Sequence, residues 1–186
     1  MPTRTLSTKL LILLAALFFM ACDRDAPHES ATGEAAVRDL TEIRELPVGL
    51  KVTHSPNPAP AMEGGRSGFP YTWLYETKVE SIDQDLTLEE FGAFVEHEDG
   101  WHFSTYTAKP FTPEDFAEWY GCPDAKLVPG KVFVDRLNWS GARQLKTLRT
   151  IWYFVAVDPD GKRYRGEALI EQLAEIGESR VSQPSP

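Results

Sequence analysis

The stretch TIWYFVAV at residues 150–157 restricts the fold more than any other part of the chain. Apolar side chains occupy both its odd and its even positions. Successive residues of a strand point to opposite faces of the sheet, so a strand that is apolar on both faces has to be covered on both. This stretch is therefore predicted to be a central strand with structure packed on either side of it.

A hairpin is predicted before this strand. Residues 91–97 and 101–107 are apolar and aromatic, and they flank Asp99-Gly100, a dipeptide that suits a type I′ turn. A two-residue loop at that dipeptide would pair His97 with His102, with their Cβ atoms roughly 5 Å apart. Two imidazoles at this separation are candidate metal ligands, with Cys122 or an aspartate as a third. Ordinary surface histidines are the alternative interpretation.

Other segments also have the composition of strands. Residues 86–95 allow two interpretations, because Thr87 and Glu90 imitate a helix capping box whereas Gly92 and the hairpin turn favour a strand. Turn residues bound each of the remaining candidates, and residues 158–161 join the last of them to the central strand. These further strands are predicted at residues 71–82, 131–139 and 162–165.

Two short helices are predicted within the same region. The first starts at Thr112, which suits an N-cap with Asp115 as its capping-box partner, and it ends at Gly121. Phe111 would pack onto the first turn of that helix. The second is expected at residues 167–176, where leucine and isoleucine recur at helical spacing before a glycine. A shorter amphipathic helix is also compatible with residues 37–46.

Consecutive hairpins without long helices between the strands indicate a mainly β fold. The first prediction is an antiparallel, immunoglobulin-like β-sandwich with two short helices. The alternative is an α+β fold, in which the helices cover one face of an open antiparallel sheet.

The aromatic residues predict where the folded domain lies. Apart from Phe18 and Phe19, every aromatic side chain falls between Phe69 and Tyr164. The segment at residues 55–70 is rich in proline and glycine, which is typical of a linker. We therefore predict four parts, namely a leader at 1–21, a tether and linker at 22–68, a β-sandwich domain at 69–177 and a disordered tail at 178–186.

The leader has the three zones of a secretory signal. Arg4 and Lys9 precede a wholly apolar run at residues 10–20, and the small residue Ala21 follows it. As a helix this run would measure roughly 16 Å, which is too short for the ~30 Å hydrocarbon core. The sequence FMAC at residues 19–22 resembles the bacterial lipobox, which implies cleavage before Cys22 and a diacylglycerol on its sulfur. Ordinary secretion is the alternative.

The cysteine count is compatible with this resemblance. The chain contains only Cys22 and Cys122, so acylation of the first leaves the second without an intramolecular partner. Cys122 follows the predicted helix rather than preceding it, and a buried, inert thiol is the favoured interpretation. A disulfide between the two cysteines is the alternative. The lipobox resemblance also implies retention in the inner membrane, facing the periplasm, because an aspartate, Asp23, follows the cysteine; the outer membrane is the alternative.

The charge of the chain excludes one class of partner. The sequence carries 28 acidic and 19 basic residues, and removal of the leader takes away two of the basic ones. Nucleic acid requires clustered positive charge, so we expect no nucleic-acid partner. No catalytic motif stands out, and we predict no cofactor and no catalytic residue. The leading hypothesis is a noncatalytic, protein-binding envelope module; the alternatives are a glycan-binding or metal-binding module, or an enzyme with an unrecognised site.

Overall fold

The computed structural model describes residues 38–64, 66 and 68–177. The expected leader, the lipidation site Cys22, the first part of the tether and the C-terminal tail lie outside the described residues. Within the described part, no helix is both long and apolar enough to cross a membrane.

Nine strands and two α-helices make up this part of the chain. The helices are α1 (Leu40–Glu45) and α2 (Pro113–Tyr120), and a 3-10 turn follows at Pro123–Ala125. The strands are β1 (Leu50–Ser55), β2 (Ala59–Glu63), β3 (Tyr71–Ser81), β4 (Leu86–His97), β5 (Gly100–Phe103), β6 (Lys126–Leu127), β7 (Phe133–Ala142), β8 (Leu148–Val157) and β9 (Arg163–Ile176).

All of these strands belong to one open sheet, so the mainly β class is confirmed. The order is β1-β3-β2-β9-β8-β4-β5, while β6 pairs with β4 and β7 pairs with the remaining edge of β3. The immunoglobulin-like sandwich is not confirmed, because the described strands form a single sheet rather than two facing ones. The sheet is also mixed, since β2 runs parallel to β9, with Ala59 opposite Gln172.

The central strand was predicted correctly. Strand β8 lies between β4 and β9 and pairs with both along its length. Its even-numbered side chains, including Trp152 and Phe154, join the larger core on one face of the sheet. Ile151, Tyr153 and Val155 point the other way, into a smaller core that helix α1 covers. The apolar character of both faces thus reflects two separate cores.

The segment expected to be linker contributes to the sheet. Strands β1 and β2 lie end to end along β3 and are separated by a bend at residues 56–58. Asn57 holds the bend against β9, because its amide donates to the Leu169 carbonyl and its oxygen accepts from the Glu171 amide. Ala59 and Ala61 are fully buried. The small, proline-rich composition suits a kinked buried strand, and helix α1, β1 and β2 belong to the same compact unit as the remaining strands.

The helix predicted at residues 167–176 is wrong, because this segment is part of strand β9. Its burial alternates with a period of two over residues 169–173, where Ile170 and Gln172 are buried while Leu169 is exposed. Leu169 and Leu173, which suggested a helix, lie on the less buried face of the strand. The segment pairs with β8 on one side and with β2 on the other, and these pairings provide hydrogen bonds for its backbone in the strand conformation.

The first hairpin forms, but its register differs from the expected one. His97 pairs with Gly100 and Val95 with His102, so the loop residues are Glu98 and Asp99. Gly100 has a φ of 129°, which favours glycine. The alternative helix at residues 86–95 does not form, because this segment pairs with β8 throughout.

Helix α2 has the predicted boundaries and caps. The Thr112 hydroxyl accepts from the Asp115 amide at 3.3 Å, and the Asp115 carboxylate accepts from the Thr112 amide at 2.8 Å. Gly121 ends the helix in the left-handed conformation, with a φ of 62°. Phe111, which precedes the N-cap, packs its ring against Trp119 with 4.8 Å between centroids. The helix thereby contacts β4 and β7.

Candidate ligand cavity

A cavity of about 1080 Å³ lies between β7, helix α2, the loop after β5 and the inward faces of β4 and β8. Aromatic side chains form much of its wall, as is common in small-molecule sites. They come from separate parts of the chain and include Phe69, Tyr106, Phe111, Trp119, Trp139 and Trp152.

The two sides of the cavity are built differently. On the helix side, Trp119 packs against Phe111, and Tyr106 lies 5.2 Å from Phe111 between ring centroids. Tyr106 is 76% exposed, so it stands at the mouth. On the opposite side, Phe69 packs on Trp139 at 6.2 Å. A Cβ on Gly141 would come within 2.7 Å of the Phe69 ring, so this glycine allows Phe69 to approach β7.

The floor of the cavity is a chain of polar side chains bonded to one another. The Trp152 indole donates to the Tyr75 hydroxyl at 2.8 Å, and the Tyr75 and Ser140 hydroxyls are 3.1 Å apart. Gln172 then donates to Ser140 and to Thr150. Burial raises the pKa of Tyr75 to about 12, so its phenol remains protonated. These groups are engaged by the protein itself.

A second chain of hydrogen bonds lies beside this floor, where the His54 ring packs edge-on against Tyr75. The His54 Nε2 lies 3.2 Å from the Ala168 carbonyl, which can only accept, so this nitrogen carries the proton. Its Nδ1 then accepts from the Thr77 hydroxyl at 3.0 Å, and that oxygen accepts from Asn138 at 2.7 Å. Burial lowers the pKa of His54 to about 4, which keeps the ring neutral.

Two polar groups in the cavity wall lack the hydrogen-bond partners that these chains provide. The Tyr120 hydroxyl is buried without a hydrogen-bond partner, and burial raises its pKa well above the usual value. The Thr77 hydroxyl is close enough to oppose that rise, but it forms no hydrogen bond with the phenol. A buried phenol without a partner is a costly arrangement that a ligand could relieve.

Asp135 is the second of these groups. It lies on β7 opposite Thr77 and is half-buried, and one of its oxygens accepts from the Leu137 amide at 2.9 Å. Burial raises the pKa of its carboxyl group, and the positive charge of Arg66 opposes that rise. Its negative charge also raises the pKa of both Tyr75 and Tyr120, and all three residues line the cavity. Within the described residues, Asp135 forms no salt bridge.

The predicted histidine pair does come together. The rings of His97 and His102 lie 4.8 Å apart, diagonally across the hairpin, and His97 also lines the cavity. His102 Nε2 lies 2.8 Å from an oxygen of Asp99. In the part of the chain that the structure covers, no group of three or more histidine, cysteine, aspartate or glutamate residues could hold a metal ion.

Cys122 lies apart from this hairpin. Its side chain is fully buried, and its thiol donates to the Lys126 carbonyl at 3.2 Å. The predicted burial is therefore confirmed. Burial raises the pKa of the thiol to about 11, which disfavours the reactive thiolate.

The tryptophans divide between the core and the cavity. Trp73 is fully buried, and Trp101 stacks beneath Arg149 on the other side of the sheet. The remaining three line the cavity. Sequence reasoning identified neither Tyr120 nor Asp135. The second could have been noticed, because a charged residue at an inward position of the stretch KVFVDRLNW interrupts an apolar face.

Comparisons with known proteins give only distant structural likenesses. No protein-family model and no curated protein matches the chain. An X-ray structure of the Northeast Structural Genomics Consortium target SoR45 is 12% identical, with a TM-score of 0.42, and the match covers 76% of this chain and 98% of that one. A Bordetella pertussis protein with the provisional name ApaA is 11% identical, with a TM-score of 0.38 and coverage of 72% and 98%. Likenesses at this level carry no conclusion about function.

Proposed function

We propose that this chain is a noncatalytic binding protein of the bacterial cell envelope, and that its cavity holds a small amphipathic molecule. The observation that carries the proposal is the aromatic-walled cavity of about 1080 Å³ with the unpaired Tyr120 hydroxyl inside it. Its size is at the upper end of the range for small-molecule sites. Aromatic walls around few free polar groups are typical of sites that bind an apolar body with one polar end.

The polar floor of the cavity favours a small amphipathic ligand over a glycan. Tyr75, Ser140 and Thr150 are bonded within the protein, so they offer few free groups to a ligand. A sugar would bury several hydroxyl groups there, and each hydroxyl without a partner costs binding free energy. A glycan would therefore be confined to the exposed rings at the mouth.

The envelope location rests on the leader. The positive start, the apolar run and the sequence FMAC support cleavage before Cys22 and a lipid anchor, and Asp23 supports retention in the inner membrane. The anchored domain would then face the periplasm. This arrangement would give the cavity access to molecules that cross the envelope.

A protein partner is the second candidate, and strand β7 favours it. In the described part of the chain, β7 pairs only with β3, which leaves its other edge open. Leu137 on this strand is 60% exposed, and Val132 just before it is 47% exposed. An open strand edge beside apolar side chains is suited to adding a strand from another protein.

Binding of the uncharged fluorophore 1-N-phenylnaphthylamine tests the proposal. We expect saturable binding by the wild type at one site per chain. Val95→Phe fills part of the cavity and should weaken that binding about tenfold or more. The matched control is Val48→Phe, because Val48 is 58% exposed and does not line the cavity. Binding that is unsaturable, or that falls equally in both variants, would contradict a site in the cavity.

A further inference from the structure

We infer, on the basis of the proposed function, that the ligand carries a protonated amine, which the Asp135 carboxylate and the Tyr120 hydroxyl bind together inside the aromatic cavity. The ammonium group would donate to the free oxygen of the carboxylate and to the phenol oxygen. The apolar body of the ligand would lie against the rings of Trp119 and Trp139.

The carboxylate is the first argument for a cation. Asp135 is half-buried in an aromatic wall, and one of its oxygens is held by the Leu137 amide. The other oxygen has no hydrogen-bond partner among the described residues. Removing a carboxylate from water is costly unless a positive charge compensates for it. An ammonium ion would supply that charge at the atom where it is lacking.

The basic residues that line the cavity are directed elsewhere or lie at its mouth. Arg136 follows Asp135 in the chain, but its guanidinium pairs with Glu76 at 3.2 Å. Lys146 lines the cavity and is exposed. Arg66 opposes the rise in the pKa of Asp135, but in the described part of the chain it forms no salt bridge with that carboxylate. Of the two carboxylates that line the cavity, Glu118 is exposed, and Asp135 has no basic side chain bonded to it.

The aromatic rings are the second argument. The face of an indole or phenol ring carries partial negative charge and attracts cations, most strongly where water is excluded. Trp119 and Trp139 line opposite sides of the cavity, and Tyr106 stands at the mouth. A cationic ligand gains from these rings, whereas an anionic ligand is repelled both by them and by Asp135.

The Tyr120 phenol completes the site. The residue is 4% exposed, and its hydroxyl is buried without a hydrogen-bond partner. Tyr120 and Asp135 line the same cavity, and the carboxylate charge raises the pKa of the phenol. An ammonium group between the two oxygens would pair both of them. A neutral hydroxyl could pair both as well, but it would leave the charge of the carboxylate uncompensated.

Three naphthalene compounds that differ only in their polar end test this inference by calorimetry at pH 7. They are 1-naphthylmethylamine, which is cationic, 1-naphthalenemethanol, which is neutral, and 1-naphthoate, which is anionic. We expect the amine to bind about tenfold more tightly than the alcohol, and the anion most weakly. In Asp135→Asn the amine should lose this advantage while the alcohol binds as before, and in Tyr120→Phe both should weaken.

Asp83→Asn is the matched control, because it removes the same charge from an exposed position outside the cavity. The amine should bind this variant as it binds the wild type, which separates the site from general attraction to an acidic protein. If the alcohol or the anion binds as tightly as the amine, the inference is overturned while the proposed function stands. If none of the three binds, the proposed function itself fails. Thermal melting establishes that each variant is folded.

Discussion

The indole Nε1 of Trp152 donates to the hydroxyl of Tyr75 at 2.8 Å, across the inward face of the sheet. Trp152 is on β8 and Tyr75 is on β3, and strands β2 and β9 lie between them in the sheet order. The bond therefore joins two strands that are not neighbours. Because the same hydroxyl contacts Ser140 on β7, the pair couples the centre of the sheet to the wall of the cavity.

Tyr75→Phe is expected to lower the free energy of unfolding by about 1–3 kcal/mol, because it leaves the buried Trp152 indole without an acceptor. Chemical denaturation at pH 7 measures the change. Tyr106→Phe removes the same hydroxyl from a residue that is 76% exposed, and it should cost less than about 0.5 kcal/mol. Equal small effects in both variants would show that the bond contributes little to stability.

The stability of the domain should fall as the pH is lowered from about 6.5 to about 4, because of His54. Burial lowers the pKa of its ring from 6.5 to about 4 in the folded protein, so in this window the unfolded chain binds a proton that the folded chain does not. A shift of that size corresponds to a loss of about 3 kcal/mol across the window. Denaturation curves at a series of pH values measure it.

His54→Gln supplies the comparison for this pH dependence. The variant should be less stable than the wild type at pH 7, because the bonds to Thr77 and Ala168 change, but its stability should depend less on pH between 6.5 and 4. The raised pKa of Asp135 acts in the opposite direction and is common to both proteins. Parallel curves for the two proteins would refute the assignment of the pH dependence to His54.

A fragment that begins at residue 69 is expected not to fold, although it contains most of the aromatic residues. It lacks β1 and β2, which fill the space between β3 and β9, and it lacks helix α1, which covers the smaller core. A fragment of residues 38–177 should fold cooperatively. Circular dichroism and thermal melting compare the two, and a cooperative transition in the shorter one would contradict this view of the domain.

The sequence could predict those elements whose signals are local. The two-sided apolar strand β8 and the caps of α2 at Thr112 and Gly121 depend on neighbouring residues only, and both are confirmed. Strand β9 was missed because Leu169 and Leu173 repeat at a helical interval, whereas pairing with two other strands decided the conformation. Strand β2 was missed because its composition is that of a linker.

The candidate site was harder to predict because it depends on contacts between distant segments rather than on local signals. Its walls come from segments far apart in the chain, which only the complete fold brings around one cavity. Three of its residues are tryptophans, and the sequence alone does not show which of the five tryptophans line a cavity and which fill the core. Nothing local to Tyr120 shows that its hydroxyl is buried without a partner, because that depends on side chains from other parts of the fold.

Cys22→Ser is expected to block lipid attachment, because a serine hydroxyl cannot form the thioether. The substituted chain should accumulate as a full-length precursor without the mass of a diacylglycerol, as measured by mass spectrometry of the membrane and soluble fractions. Ser30→Ala, a few residues further along, is the control and should be processed normally. A Cys22→Ser protein of mature size that stays in the membrane after a carbonate wash would refute the anchor.

The substitution Asp23→Ser tests which membrane holds the anchored protein. On a sucrose gradient, the wild type should band with the inner membrane and Asp23→Ser should move to the outer membrane. A wild type that already bands with the outer membrane would overturn the inner-membrane proposal without affecting the anchor.

The most direct test of the binding cavity uses the five tryptophan indole N–H signals of the nitrogen-15-labelled protein. Each signal is assigned by replacing one tryptophan with phenylalanine, and 1-naphthylmethylamine is then titrated in. We predict that the signals of the cavity residues Trp119, Trp139 and Trp152 shift with saturation, while those of Trp73 and Trp101 stay in place. Unchanged cavity signals at millimolar ligand, or a shift confined to Trp101, would contradict the proposed binding site.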